Sequence, residues 1–356
     1  MTMKKTMKAA RLFGPNDLRI VDTPIPELGA HDVLTRVRRA GICGTDYSIY
    51  TGEFSFVKNG GVKFPFTPGH EWSGVVAAVG SAVTQFKAGD RVVGDTCVSC
   101  GNCVSCLLGD YLSCANAFCV GTVNAWDGGF AEYTVFPERH LFLLPDNVSF
   151  DAGAFVEPAA TSLHAVQCAQ VGIGDSVLIH GSGPLGLLAA KLSKLSGAAN
   201  VIITGRKDAK LKIARTFGAD VAINTTCEPL KETVLRQNGG KKVDRVIETS
   251  GAAELLTASF DLIRPGGTLS PVAFYDKTID NLEIDKLVFG NMTIRGSSGS
   301  TGMYPPVLAL MTSGALDITP LISGRYLFKD ILKGYHDMKD KNDIRIKWLV
   351  DFVQDE

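Results

Sequence analysis

Five cysteines fall within DTCVSCGNCVSCLLGDYLSC, and four of them, Cys100, Cys103, Cys106 and Cys114, follow the spacing C-x2-C-x2-C-x7-C. A C-x-x-C step lets two thiolates reach one ion from a tight turn, and Gly101-Asn102 supplies the turn chemistry. Four thiolates close a tetrahedral site that suits structural zinc. An iron–sulfur cluster also takes four cysteines. However, the bacterial cluster run ends in x3-C-P, and here the fourth cysteine lies farther on with no proline after it. Cys97 follows the strand-like DRVVGD rather than the loop, so it is the spare thiol.

A second set of ligand types is scattered: Cys43 in RRAGICGTD, His70 and Glu71 in TPGHEWSG, and Glu157 in VEPAATSLHA. Cys43 and His70 follow glycines at strand ends, where side chains can converge. Glu157 is an acid inside an apolar stretch, and a buried carboxylate asks for a cation or for donors. Adjacent residues of a regular strand face opposite ways, so His70 and Glu71 both ligate only if the backbone bends at Pro68-Gly69. The expected scheme is Cys43, His70 and one or two of Glu71 and Glu157, the other glutamate standing behind or exchanging with water. Three protein ligands and one open position define a catalytic zinc, at which an alcohol would bind and lose its proton.

A third constellation binds nucleotide. SVLIHGSGPLGLLAAKL sets Gly181-Ser182-Gly183-Pro184-Leu185-Gly186, a G-x-G-x-x-G run, between a strand and a helix. In that context the glycines let a pyrophosphate approach the helix N-terminus. At the end of the next strand an NAD enzyme presents a carboxylate to the ribose, and here VIITGRKD has Gly205, Arg206 and Lys207 instead. Loss of the acid and gain of a guanidinium favour a 2′-phosphate, hence NADP(H) over NAD(H). Asp208, at the helix start, is the residue that could restore NAD binding.

Elements must position these groups. At 356 residues the chain suggests two domains. Up to about Pro145, HDVLTRVRRAGI, GVVAAVG, DRVVG and FAEYTVF read as short strands joined by turns, an all-β region carrying metal loops. After about Phe155 strands alternate with helices, which means a doubly wound parallel sheet. The fold class is α/β, with a β-rich domain at 1–158 and 296–356, a zinc lobe at about 95–116, and a nucleotide domain at 159–295. A net charge of −1 gives no reason to expect nucleic acid or an anionic membrane as partner. No apolar run spans a bilayer and MTMKKTMKAARLFG lacks a signal's apolar region, so a cytoplasmic setting is expected, where disulfides are rare.

With GICGTD, TPGHEWSGVVAAVG, AGDRV, the four-cysteine lobe, DGGFAEY, LPDNV, GSGPLGLLAAKLSK, FGAD, ETSG and LIRPGGTL, nearly the whole chain resembles the zinc-dependent medium-chain dehydrogenases, within them the sorbitol (polyol) group. The resemblance implies a GroES-like catalytic domain, a Rossmann domain, two zincs per chain and a homodimer or homotetramer. It implies Cys43, His70 and Glu71 as catalytic-zinc ligands, with Glu157 as ligand or as partner of a bound water. Thr45 matches the hydroxyl that passes the alcohol proton onward. Ser48 stands where many relatives carry a histidine, and serine has no pKa suited to a base. The implied activity is hydride transfer between NADP(H) and a secondary alcohol or ketone of a polyol or sugar-like substrate. A polyol phosphate, a cyclitol or threonine is the alternative substrate. From another class, the rival is a non-catalytic nucleotide-binding zinc protein. The aromatic YTGEFSFVKNGGVKFPF reads as packing or a subunit contact, and His31, His140, His164 and His180 as structural.

Overall fold

The computed structural model describes residues 5–123, 126–280, 282–300, 302–340 and 344–352. Its contacts divide the chain into two compact units: Met1–Glu157 with Ser300–Glu356, and Pro158–Gly299.

The first unit opens with a hairpin of β1 (Thr6–Gly14) and β2 (Asp17–Pro24). The long β3 (Asp32–Ile42) then pairs antiparallel with β4 (Glu71–Val79), and β4 with β5 (Arg91–Gly94). A two-stranded ribbon of β6 (Cys97–Val98) and β7 (Phe118–Cys119) brackets the cysteine loop. After it, β8 (Tyr133–Pro137) returns to β3 and β9 (Leu141–Leu143) to β5. Runs of buried residues along β3, β4 and β5 face a core that gathers Trp72, Phe66, Phe130, Phe136 and Ile49. Tyr50, Phe54 and Phe66 of the aromatic segment belong to that core.

One departure from the all-β reading matters for the site. Cys43 caps a helix, Gly44–Thr51, which ends at Gly52 in the left-handed conformation (φ 76°). The Asp46 side chain accepts from the Cys43 amide at 2.9 Å and so starts the helix, a signal hidden inside GTD.

The second unit is a six-stranded parallel sheet of β10 (Ser176–His180), β11 (Asn200–Gly205), β12 (Val221–Asn224), β13 (Val243–Glu248), β14 (Ile263–Pro271) and β15 (Thr293–Ile294). Its order, β12-β11-β10-β13-β14-β15, is that of a doubly wound fold. All of β10 is buried, as expected of a strand covered on both faces. The helix Pro184–Leu195 starts on a proline and buries Leu187, Leu188 and Leu192. The chain then rejoins the first unit, where β16 (Ile322–Leu327) and β17 (Lys347–Asp351) complete the sheet in the order β16-β17-β3-β4-β5-β9.

Candidate active site

The structure brings Cys100, Cys103, Cys106 and Cys114 together with their sulfurs within 4.8 Å of one another. Individual separations are 3.4 Å for Cys103–Cys106, 3.5 Å for Cys100–Cys114 and 3.9 Å for Cys100–Cys106. Zinc–sulfur bonds of about 2.3 Å set tetrahedral edges of about 3.8 Å, so this set fits zinc with little adjustment. Asp95 is buried at the foot of the lobe, accepting from Tyr111 Oη at 2.6 Å, Ser300 Oγ at 3.2 Å and the Cys97 amide at 3.2 Å. Burial raises its pKa against those three donors. His140 Nε2 accepts from the Ser99 amide at 3.0 Å. Burial, with help from the Arg139 charge, pushes that imidazole down to about 4. Cys97 is outside the four-sulfur group and lies opposite Cys119 across the ribbon.

Cys43, His70 and Glu71 form the second cluster, again with ligand atoms within 4.8 Å. Gly69, at φ 98°, makes the bend that lets consecutive residues point to one place. His70 sits just outside β4 and Glu71 begins it. Asp46 Oδ1 is 3.4 Å from His70 Nδ1, which leaves Nε2 for a metal and supplies the outer partner that metal-bound imidazoles use. Burial disfavours the charged ring, yet Asp46 and Cys43 outweigh it and hold His70 well above its ordinary pKa. A cation can take the place of that proton. Thiolate, imidazole and carboxylate together are the mixed donor set of a catalytic zinc.

Sequence reasoning missed Lys347. Its Nζ lies 2.6 and 2.7 Å from the two Glu71 oxygens and 3.4 Å from the Ile42 carbonyl. Both partners are buried, at 3% and 1% exposure. Burial alone would lower the ammonium pKa, but Glu71 and then Cys43 raise it, so the lysine keeps its charge. Glu71 therefore already has its cation. Glu157, in the first turn of the helix Val156–Cys168, lies outside the cluster of three, although its charge acts on Lys347 and Tyr304. Thr45 and Ser48 are half-buried on the helix that Cys43 starts, three residues apart and so on one face.

In the second unit Gly181 to Gly186 join β10 to the helix Pro184–Leu195. A Cβ on Gly186 would lie 1.9 Å from the Gly181 carbonyl, so the turn closes only on glycine. Gly205 ends β11, and a Cβ there would lie 2.3 Å from the Ser182 hydroxyl. Arg206 is exposed, Lys207 caps the helix Asp208–Thr216, and Asp208 accepts from Asn224 Nδ2 at 2.8 Å.

Residues 29–146 match the alcohol dehydrogenase GroES-like domain and residues 184–313 the zinc-binding dehydrogenase domain. L-threonine 3-dehydrogenase of Escherichia coli (strain K12) is 34% identical over 94% of this chain and 96% of its own length. This chain belongs to the zinc-dependent medium-chain dehydrogenases. Its two units are the family's GroES-like and Rossmann-like domains. A zinc-binding dehydrogenase of Sinorhizobium meliloti 1021, solved with NADP, superimposes with TM-score 0.89 at 31% identity, covering 98% of this chain and 100% of that one. Galactitol-1-phosphate dehydrogenase of Escherichia coli does so with TM-score 0.86 at 29% identity, over 97% and 100%. No helix among the described residues is long and apolar enough to cross a membrane.

Proposed function

We propose that this dehydrogenase transfers hydride between NADP(H) and a secondary alcohol or ketone of a polyol or sugar-like substrate. The observation that carries the cofactor choice is the contact at Gly205. Gly205 carries no carboxylate to hold a free ribose 2′-hydroxyl, a Cβ there would crowd the Ser182 hydroxyl at 2.3 Å, and Arg206 follows with a guanidinium for phosphate. The Sinorhizobium meliloti relative solved with NADP supports the same reading.

In this reading residues 1–158 and 296–356 form the catalytic domain and 159–295 the NADP-binding domain. Cys100, Cys103, Cys106 and Cys114 hold a structural zinc. Cys43 and His70 hold a catalytic one, with Glu157 as the next ligand or as the partner of a bound water. Lys347 neutralises Glu71 and keeps it behind that centre. Zinc bound there would polarise the substrate oxygen and make its proton acidic. Thr45 receives that proton at its hydroxyl, and Ser48, one turn on, passes it outward, since a hydroxyl both donates and accepts. Neither is a base, so the relay only conducts. Intact Cys43, His70 and Glu71 speak against a non-catalytic nucleotide-binding protein, for which one closed zinc would suffice. A homo-oligomer is supported by Val288 and Phe289, 68% and 89% exposed just before the edge strand β15.

A second substrate, L-threonine, is favoured by the identity to threonine 3-dehydrogenase. The test is nicotinamide absorbance on the zinc-loaded protein with polyols, their ketoses, polyol phosphates and L-threonine. Turnover of a polyol–ketose pair is expected. Turnover of threonine alone replaces the substrate, and no turnover at about two zincs per chain overturns the enzymatic reading.

A further inference from the structure

Neither zinc cluster uses Cys97 or Cys119. All nine cysteines are free, and these two face each other in register across the ribbon of β6 and β7. The Val120 amide donates to the Thr96 carbonyl at 2.9 Å, which makes 96 and 120 the hydrogen-bonded pair. Cys97 and Cys119 are consequently the adjacent non-hydrogen-bonded pair. Antiparallel pairs of that kind hold their Cα atoms about 4.5 Å apart with the side chains drawn together. A disulfide needs Cα atoms about 4.4–6.8 Å apart, so this position admits one without moving a strand.

We propose that Cys97 and Cys119 are a modification site for peroxides, forming a reversible disulfide that ties together the two ends of the cysteine lobe. Cys119 is half-buried and Cys97 buried, which assigns the first step to Cys119. Its sulfur attacks a peroxide oxygen, the O–O bond breaks, and one oxygen leaves as water while the other becomes a sulfenic acid. The Cys97 sulfur then attacks that sulfur, the S–S bond forms, and the hydroxyl leaves as the second water. Two thiols have lost two electrons and the peroxide has gained them. The thiols already influence each other: the Cys97 thiol is foremost in lowering the pKa of Cys119, and Cys119 in raising that of Cys97. The link lies outside Cys100 and Cys114, so it closes the lobe without consuming a zinc ligand, and it does not depend on which alcohol the enzyme oxidises.

The full-length, zinc-loaded protein is treated with hydrogen peroxide, its remaining thiols are blocked with N-ethylmaleimide, and its peptides are mapped by mass. The expected product is a Cys97–Cys119 linked peptide, lost on adding dithiothreitol, with the zinc content unchanged. The oxidised protein should also release its lobe zinc to a chelator about tenfold more slowly, as a closed loop resists opening. Cys97→Ser and Cys119→Ser should each abolish both effects. Linkage among Cys100, Cys103, Cys106 and Cys114 with loss of zinc, or alkylation of both Cys97 and Cys119 after peroxide, overturns the proposal. Should either serine variant fail to fold, the map of the unaltered chain still decides.

Discussion

Both candidate metal clusters of the first unit use thiols, but they are assembled in opposite ways. The lobe takes all its sulfurs from one loop, residues 100–114, where C-x-x-C spacing itself brings them together. The other cluster takes Cys43 from the end of β3, His70 and Glu71 from the start of β4, and Lys347 from β17. A local site closes on itself and leaves no position for substrate. The distributed site depends on sheet register, would leave a position open on an ion held there, and has a buried carboxylate paired with a distant lysine.

The largest contrast should appear when one thiol is removed from each. Cys43→Ser is expected to lower kcat/KM on the order of a thousandfold, about 4 kcal/mol of transition-state stabilisation, with melting little changed. Cys103→Ser should lower the melting temperature instead, leaving kcat of the folded fraction within a few-fold. Equal loss of activity per folded molecule in both would break the comparison.

Next in size is the lysine. Lys347→Met leaves Glu71 buried with no cation and should destabilise the protein by about 3–5 kcal/mol in urea unfolding. Adding Glu71→Gln should recover most of that loss. A single variant as stable as the parent would mean the pair does not hold the sheet at this site.

The lobe has a pH weakness of its own at His140. With its pKa depressed from 6.5 to about 4, the folded protein takes this proton less readily than the unfolded chain. Stability is therefore whole above pH 6.5 and falls as pH drops toward 4, by up to about 3 kcal/mol from this group. His140→Gln should flatten that part of the profile. The smallest effect should be Tyr111→Phe, which takes a donor from Asp95 and should cost about 1–2 kcal/mol in the same assay.

What could be read from the sequence follows this local–distributed divide. Cysteine spacing and the glycine run between SVLIH and PLGLL announce themselves because sequence neighbours do the work. Lys347 did not, because IRIKWLVD reads as an ordinary strand and its partner is 276 residues away. Asp46 looked like turn chemistry in GTD, although it serves both as helix cap and as the group behind His70. Strands β6 and β7 are two residues each, too short for periodicity, so Cys97 read as spare and its facing cysteine went unnoticed. Gly205 was informative as an absence, but the Ser182 hydroxyl that a side chain there would crowd is visible only in three dimensions.

The central claim, NADP-linked oxidation of an alcohol, is tested most directly by measuring kcat/KM for NADP and for NAD on the same alcohol with the zinc-loaded protein. A preference for NADP of at least about a hundredfold, about 2.7 kcal/mol, is predicted from the guanidinium at Arg206 and the missing carboxylate at Gly205. Equal use of the two cofactors, or a preference for NAD, would contradict it.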